Sequence, residues 1–212
     1  MVYPARVMMA GLRERKKEQT RQRIAETALR LFAERGYDAV TVNEIAEAAG
    51  VAKVTLFSYF PGKESLVLDQ IKDDYAAVVR NRPEGVPPLA ALREHCRGIA
   101  RRSAQAPVET LLTRVQVIAT SPALMSKVHQ TDVSEREELV AALEAAMPDA
   151  GVVPRLMAAQ IIAVITTLQE TFFQRLFQGE PLENAGRLLE EEVEVAFDLL
   201  ERGLTSTERA GS

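Results

Sequence analysis

Cysteine and histidine are scarce in this chain, and tryptophan is absent. Of its 212 residues, one is cysteine and two are histidine. The single cysteine, Cys96, allows no internal disulfide, zinc ribbon or paired-cysteine redox site, which fits a reducing compartment. The histidines, His95 and His129, lie outside any HExxH pattern, and GxSxG, GxxxxGK and GxGxxG are also missing. We therefore expect no catalytic residue, no metal site and no enzyme.

Long apolar runs and export signals are missing too. The longest strongly apolar run, 161–165, is far shorter than the roughly 20 residues that span a bilayer. The apolar patch at 7–10 precedes basic residues, whereas a signal peptide has the reverse order. We expect a cytoplasmic protein without a membrane span.

Charge is distributed unevenly along the chain, although the net charge is only −4. Residues 1–63 carry 11 basic and 7 acidic side chains, a net of +4, and residues 64–212 carry 15 and 23, a net of −8. A basic head followed by an acidic body is typical of a chain that meets nucleic acid at one end. Chance clustering of solvated charge would give the same counts, so sequence motifs are needed to distinguish it from a nucleic-acid-binding surface.

Helical periodicity dominates the sequence, and no segment alternates cleanly as a half-buried strand would. Glycines and prolines divide the chain into about nine helices, so we predict an all-α protein. The expected order is a flexible basic arm over 1–17, a three-helix domain over 18–66, a larger helical domain over 67–204 and a disordered tail over 205–212.

Two short helices follow a longer one in the N-terminal part. The first is expected over 20–35, and Thr41 with Glu44 has the spacing of a capping box that starts the second. Gly50 supplies a tight turn before a third helix over 53–60. This pattern favours a helix-turn-helix, whose second helix enters the major groove of DNA. A plain helical hairpin has the same turn glycine, so more residues are needed to separate the two.

Seven short motifs favour the helix-turn-helix over a plain helical hairpin. They occur in order over about residues 18–68: Gly36-Tyr37, Thr41-Val42, Ile45-Ala46, Ala49-Gly50-Val51, Thr55-Leu56-Phe57, Tyr59-Phe60 and Lys63-Glu64-Ser65-Leu66. In sequence and spacing this series resembles the DNA-binding domain of the TetR family of helix-turn-helix transcriptional regulators. The rest of the chain matches that family only in length and helical character.

The resemblance implies which side chains face DNA, with a phosphate held near Thr41 and another by the first amides of a helix that begins near Lys63. The implied DNA-binding set is Thr41, Asn43, Lys53, Val54, Thr55, Phe57, Tyr59 and Lys63.

Two departures from the family pattern bear on base reading. Ala52 gives the recognition helix no side-chain cap, and Val54 offers only a methyl contact, for example to thymine. Base reading would then rest on Lys53, Thr55 and Tyr59.

A basic segment before the first helix would lie along the phosphates or in the minor groove. For any single residue in it, a solvated extension is an equal alternative. The residues of this arm are Arg13, Arg15, Lys16, Lys17 and Arg21.

The C-terminal part has more apolar surface than one core can use, because the segment 156–177 is apolar nearly all round the helix through Ile165. The resemblance implies that the last two helices form a four-helix dimer bundle. The expected interface residues are Ile161, Ile165, Leu168, Phe172, Val195 and Leu199. The candidate pocket residues, each of which has an ordinary core or surface reading as well, are Cys96, Gln116, Met125, Thr166 and Phe173.

The resemblance implies a homodimer that binds an inverted repeat in double-stranded DNA, as a cytoplasmic, nucleoid-associated regulator. Repression is the commoner behaviour in the family. A small apolar or amphipathic effector, and no cofactor, would release it. The alternatives are a helical dimer that has lost DNA binding and acts through protein contacts, or an enzyme.

Overall fold

The computed structural model describes residues 5–69, 73–103 and 107–208, with side chains from residue 14 to residue 203 in those ranges. This part of the chain contains no strand and forms ten helices, so the prediction of an all-α fold is confirmed. The helices are α1 (Ala5–Arg35), α2 (Val42–Ala48), α3 (Lys53–Tyr59), α4 (Ser65–Leu68), α5 (Tyr75–Arg80), α6 (Pro88–Ser103), α7 (Val108–Ala119), α8 (Pro122–Ala146), α9 (Val153–Phe177) and α10 (Leu182–Glu208).

The chain divides into two compact units. The first comprises Met1–Lys72 and Thr113–Lys127, and the second comprises Asp73–Leu112 and Val128–Ser212. The expected domains over 18–66 and 67–204 do not include the return of the chain to the first unit at Thr113. No local sequence signal marks that return, because it depends on which residues pack together.

The first unit is built on an apolar stripe of α1. Ile24, Ala28 and Phe32 recur at helical spacing and are fully or almost fully buried. Leu56 of α3 and Phe60, which follows it, are also fully buried. Helices α2 and α4 pack against α1, and α3 packs against α2.

Helix α1 is longer than expected. It begins at Ala5, so residues 5–17 of the predicted arm continue the helix. From residue 12 to residue 35 the sequence has no proline or glycine to stop a helix. Thr20 donates from Oγ1 to the Lys16 carbonyl at 2.9 Å, a helix-internal bond at the predicted start. Similarly, α10 extends to Glu208, so residues 205–208 are helical.

The second unit has a core formed by α5, α6, α8, α9 and α10. Its fully buried side chains include Leu92 of α6, Leu143 of α8 and Phe197 of α10. Pro154 lies in the first turn of α9, where the backbone amide has no partner within the helix, so its absence costs nothing. After the end of α9, Gly179 has a left-handed conformation with a φ of +87°.

Helix α9 is apolar on more than its core face. By length and composition alone it could cross a membrane, which the short run at 161–165 did not indicate. A core helix of a water-soluble protein can pass the same test. Of the predicted interface residues, Ile161, Ile165 and Phe172 lie in the core of their own unit, which leaves them little surface for a partner.

Ion pairs at four-residue spacing join α6 to α10. Arg93, Arg97 and Arg101 lie on one face of α6 and pair with acidic residues whose numbers fall as the arginine numbers rise, so the helices are antiparallel. The carboxylate partners are Glu190 for Arg101, Glu194 for Arg97, and Glu194, Asp198 and Glu201 for Arg93. We call this set the α6–α10 ion-pair ladder.

Replacing Arg93 tests the ladder. Its side chain is only 16% exposed and reaches Asp198 at 2.8 Å, so water screens this pair less than a surface pair. We expect Arg93→Met to lower the free energy of unfolding by about 2 kcal/mol. The control Arg187→Met removes an exposed pair with Glu191 and should change it by less than about 0.5 kcal/mol. If urea titrations gave the same loss of unfolding free energy for both variants, the ladder would contribute no more stability than an exposed ion pair.

Candidate nucleic-acid interface

The start of α2 is fixed by a capping box. The Glu44 amide donates to Thr41 Oγ1 at 3.3 Å, and the Thr41 amide donates to Glu44 Oε2 at 2.8 Å. Arg35, at the end of α1, donates to Glu44 Oε1 at 2.8 Å. The predicted capping box is confirmed, and the same carboxylate also joins the end of α1 to the start of α2.

The turn between α2 and α3 is tight. Gly50 has a φ of +64°, a left-handed conformation that favours glycine. The Val51 amide donates to the Ala46 carbonyl at 2.9 Å and closes the turn. As expected from the sequence, Ala52 gives α3 no side-chain cap.

Helix α3 has one buried side and one exposed side. Leu56 is fully buried, whereas Val54 is 81% exposed and Phe57 is 42% exposed. Lys53 is exposed, and its Nζ lies 6.0 Å from the centroid of the Phe57 ring. Such an exposed pair of apolar side chains on a helix of seven residues indicates a contact surface.

Thr55 and Tyr59 are half-buried at the edges of that surface. Ser58, which the helix-turn-helix pattern leaves free to face DNA but which is not in the set implied by the family resemblance, is exposed and donates from Oγ to the Thr55 carbonyl at 2.6 Å. On α2 and before it, Asn43 and Thr41 are exposed. The structure therefore leaves five of the predicted DNA-binding residues exposed and three half-buried, and the third half-buried residue is Lys63.

Lys63 points back into its own unit. Its Nζ donates to the Tyr37 carbonyl and lies 4.2 Å from the centroid of the Tyr37 ring and 5.5 Å from that of Phe32. Burial lowers the pKa of Lys63, against the opposing effect of Asp38 and Glu44. Helix α4 begins at Ser65, two residues later than expected, and has only four residues.

The basic residues of the N-terminal helix fall into three groups. Arg15 and Lys17 line a groove of about 540 Å³ together with Arg21 and the acidic residues Glu14 and Glu18 of α1, and with Ser58 and Tyr59 of α3. Lys16 is exposed outside the described lining of that groove, and the side chain of Arg13 lies outside the described residues. The predicted arm is thus a helical wall beside α3.

Arg21 is committed to the fold. Its Nη2 lies 3.2 Å from Asp69 Oδ2, and its guanidinium carbon lies 4.9 Å from the centroid of the buried Phe60 ring. These contacts connect α1 with the ends of α3 and α4. Among the arm residues with described side chains, Arg15, Lys16 and Lys17 are exposed, and Arg21 is half-buried in its pair with Asp69.

The candidate pocket residues are not brought together within one unit. Cys96, Thr166 and Phe173 belong to the second unit, whereas Gln116 and Met125 belong to the first and are exposed. Burial, followed by Asp73, raises the pKa of the Cys96 thiol to about 12, so this cysteine is a small core residue. Among the described residues, the linings of three cavities include none of the five.

The profile of the family "Bacterial regulatory proteins, tetR family" matches residues 24–69, which run from α1 to the end of α4. This segment of the chain is therefore similar to the DNA-binding domain of the TetR family. The match covers the capped helix pair, the turn at Gly50 and the exposed face of α3.

Curated TetR-type relatives match at moderate identity. RutR of Escherichia coli K12 is 35% identical over 124 residues, which are 57% of this chain and 58% of RutR, so the match spans little more than half of that relative. TcmR of Streptomyces glaucescens is 29% identical over 178 residues, which are 78% of each protein. Both are named HTH-type transcriptional regulators.

Solved structures share the fold at lower identity. NalD of Pseudomonas aeruginosa, described as the secondary repressor of the MexAB-OprM multidrug efflux pump, superposes with a TM-score of 0.56 at 20% identity, covering 84% of this chain and 96% of NalD. A complex of SmeT with triclosan superposes with a TM-score of 0.54 at 17% identity, covering 84% and 91%. These likenesses show that the TetR fold extends over most of the chain.

The capping box should make the stability of the first unit depend on acid. Bonds from Thr41 and then Arg35 lower the pKa of Glu44 to about 2 from 4.5. A lowered folded-state pKa contributes stability that is complete above the unfolded value and is lost as the pH falls. In Glu44→Gln this contribution is missing, so the stability gap between the unmodified protein and the variant should close from pH 5 to pH 2.

Thermal unfolding followed by circular dichroism at each pH measures that gap. Glu34→Gln is the control, since Glu34 makes only an exposed pair with Arg30 four residues away. A gap between the unmodified protein and Glu44→Gln that stays constant over this pH range would contradict the role of the carboxylate.

Proposed function

We propose that this chain is a DNA-binding transcription regulator of the TetR family that acts as a homodimer on an inverted repeat. The observation that carries the proposal is the exposed face of α3, held on a capped helix pair within the segment that matches the family. A helix presented in this way fits the major groove. The combination of repressor activity, cytoplasmic location and absence of enzymatic activity is proposed on the same basis.

The exposed face of α3 suggests how sequence is read. Lys53 offers donors to the O6 and N7 atoms of guanine, Thr55 and Tyr59 offer hydroxyls, and the methyl groups of Val54 fit the methyl group of thymine. Phe57 lies beside Lys53 and shields that contact from water. These roles need side chains that are exposed in the free protein, as Lys53 and Val54 are.

Phosphate contacts are proposed on both sides of α3. Thr41 and Asn43 lie at the start of α2, and Arg15, Lys16 and Lys17 lie on the helical wall formed by α1. Arg13 belongs to the same basic series in the sequence. Because phosphates carry no base identity, these residues should contribute affinity and salt dependence without sequence preference.

A second copy of the chain is proposed to cover an apolar groove between α9 and α10. The groove measures about 570 Å³. Leu199 is 63% exposed and Val195, nearby on α10, is 60% exposed, which leaves large apolar side chains in water in a single chain. The lining consists of Gln160, Ala163, Val164, Thr167, Leu168, Ala196, Leu199, Leu200 and Gly203.

Dimerisation matters because one helix-turn-helix contacts few base pairs, whereas two contact both halves of an inverted repeat. A small apolar or amphipathic effector is proposed to control the spacing of the two α3 helices. The SmeT structure contains triclosan, a small molecule of that kind. Such a ligand shifts DNA affinity only by its difference in affinity for the two spacings. Thr166 and Phe173, both half-buried, remain the proposed contacts in the second unit.

Binding to DNA from upstream of the protein's own gene tests the function. We expect a discrete complex in a mobility-shift assay, with at least about a thousandfold preference for one site over random duplex at physiological salt. If specific and random duplexes bind equally, the chain does not act as a sequence-specific regulator. A helical dimer that works through protein contacts would then be the better description.

Substitutions on α3 should separate base reading from stability. We expect Thr55→Ala and Tyr59→Phe each to weaken binding to the specific site by about 1 to 3 kcal/mol. Neutralising Lys16 and Lys17 together is the comparison, since it should weaken specific and random binding alike and reduce the log–log salt slope by about 1 to 2 units. Fluorescence anisotropy at several salt concentrations measures both effects. Unchanged affinity with a lowered melting temperature would make Thr55 and Tyr59 structural residues.

An aspartate at Leu199 should prevent dimerisation. A buried, unpaired carboxylate at the proposed interface costs several kcal/mol, so Leu199→Asp should sediment as a monomer at micromolar concentration. Val133→Asp is the matched control, because Val133 is 48% exposed on α8 and lies outside the groove. Sedimentation of the unmodified chain as a monomer would overturn the proposed dimer.

A further inference from the structure

Lys63 occupies a position that the family pattern assigns to DNA contact, yet its ammonium group faces the protein. Three groups surround the ammonium: the Tyr37 carbonyl, the Tyr37 ring at 4.2 Å and the Phe32 ring at 5.5 Å. We call this the Lys63 cage. Attraction between a cation and ring faces at these distances grows as the site loses water.

The cage joins two turns of the first unit. Tyr37 follows Gly36 in the turn between α1 and α2, and Lys63 lies in the turn between α3 and α4. These two turns bracket the helix pair α2–α3. The Gly62–Ser65 bond, in which the Gly62 amide donates to Ser65 Oγ at 3.3 Å, fixes the second turn around Lys63.

The helix pair α2–α3 depends on contacts at its ends. Helices α2 and α3 have seven residues each, and α3 lacks a side-chain cap. Helices of this length do not hold their shape alone in water, so contacts at their ends determine their position. The capping box fixes the start of α2, and the Lys63 cage acts at the opposite end of the pair.

Leaving the cage would be unfavourable. To reach a phosphate, the ammonium must give up a charge-assisted hydrogen bond and two ring faces, and the Tyr37 carbonyl would lose its donor. The nearby carboxylates of Asp38 and Glu44 favour the charged form of Lys63 where it already lies. A phosphate contact would only exchange one set of partners for another.

We propose that Lys63 is a positioning residue for DNA binding, which stays in its cage in the complex and fixes α2–α3 through Tyr37. This inference rests on the proposed DNA-binding function. It differs from the phosphate contact that the family resemblance implies. A positioning residue should affect sequence-specific binding, which needs ordered helices, more than random binding, which needs only charge.

The first test observes the cage directly in the unmodified protein. In a ¹³C,¹⁵N-lysine-labelled sample, the Lys63 signal is the one missing from Lys63→Met. Ring currents from Tyr37 and Phe32 should shift the Lys63 ε-protons upfield in the free protein, and the shift should persist when the specific duplex binds. Movement of the signal to the position of exposed lysines on adding DNA would overturn the proposal.

The second test measures DNA affinity against salt. Lys63→Met should bind the specific duplex about tenfold more weakly, with an unchanged log–log slope. A phosphate ligand would instead lower the slope by about 0.9 and weaken random binding equally. Arg30→Met controls for the loss of one positive charge on a surface helix position.

Variants of Tyr37 keep the test independent of the lysine charge. Tyr37→Leu retains Lys63 but removes the ring, so it should weaken specific binding as Lys63→Met does, and the double variant should be no weaker than either. Tyr37→Phe keeps a ring and the carbonyl and should bind normally. Full affinity in Tyr37→Leu would overturn the inference while leaving the proposed function intact, whereas absence of specific binding by the unmodified protein would overturn both.

Discussion

The recognition helix and its partner are too short to be stable alone, and the first unit is organised around this constraint. Seven residues form fewer than two full turns, and forming the first turn of a helix costs more conformational entropy than its hydrogen bonds recover. Ile45 and Leu56 therefore anchor the pair in a core supplied by α1, and polar contacts fix its ends. The exposed side chains of α3 are not needed to keep the helix in position, because buried side chains and contacts at its ends do so.

Many charged side chains form ion pairs within the fold. Arg35 and Arg21 pair with Glu44 and Asp69, respectively, although both arginines also remain partly exposed to solvent. In the second unit the acidic series of α10 meets the arginines of α6 in the α6–α10 ion-pair ladder. Net charge along the sequence therefore overstates the charge that remains free for a partner, because many of the charged side chains pair within the fold.

Local signals in the sequence predicted the parts of the structure that depend on neighbouring residues. The capping box at Thr41 and Glu44, the turn at Gly50 and the missing cap at Ala52 each follow from a few adjacent side chains. Features that depend on distant packing were not predictable in this way. Ile165, for example, has the same apolar character whether it faces its own core or a partner, and only the packing of α9 distinguishes the two.

Each unit leaves some large apolar side chains exposed next to buried ones on the same helix. Val54 on α3 is exposed although its helix is anchored by Leu56, and Leu199 is exposed although Leu200 beside it is buried. Adjacent positions on a helix point in different directions, so each helix can bury one apolar side chain and present another. Core burial fixes α3 and α10 in place, and the side chains that the core cannot use form the surfaces that we propose contact DNA and a second copy of the chain.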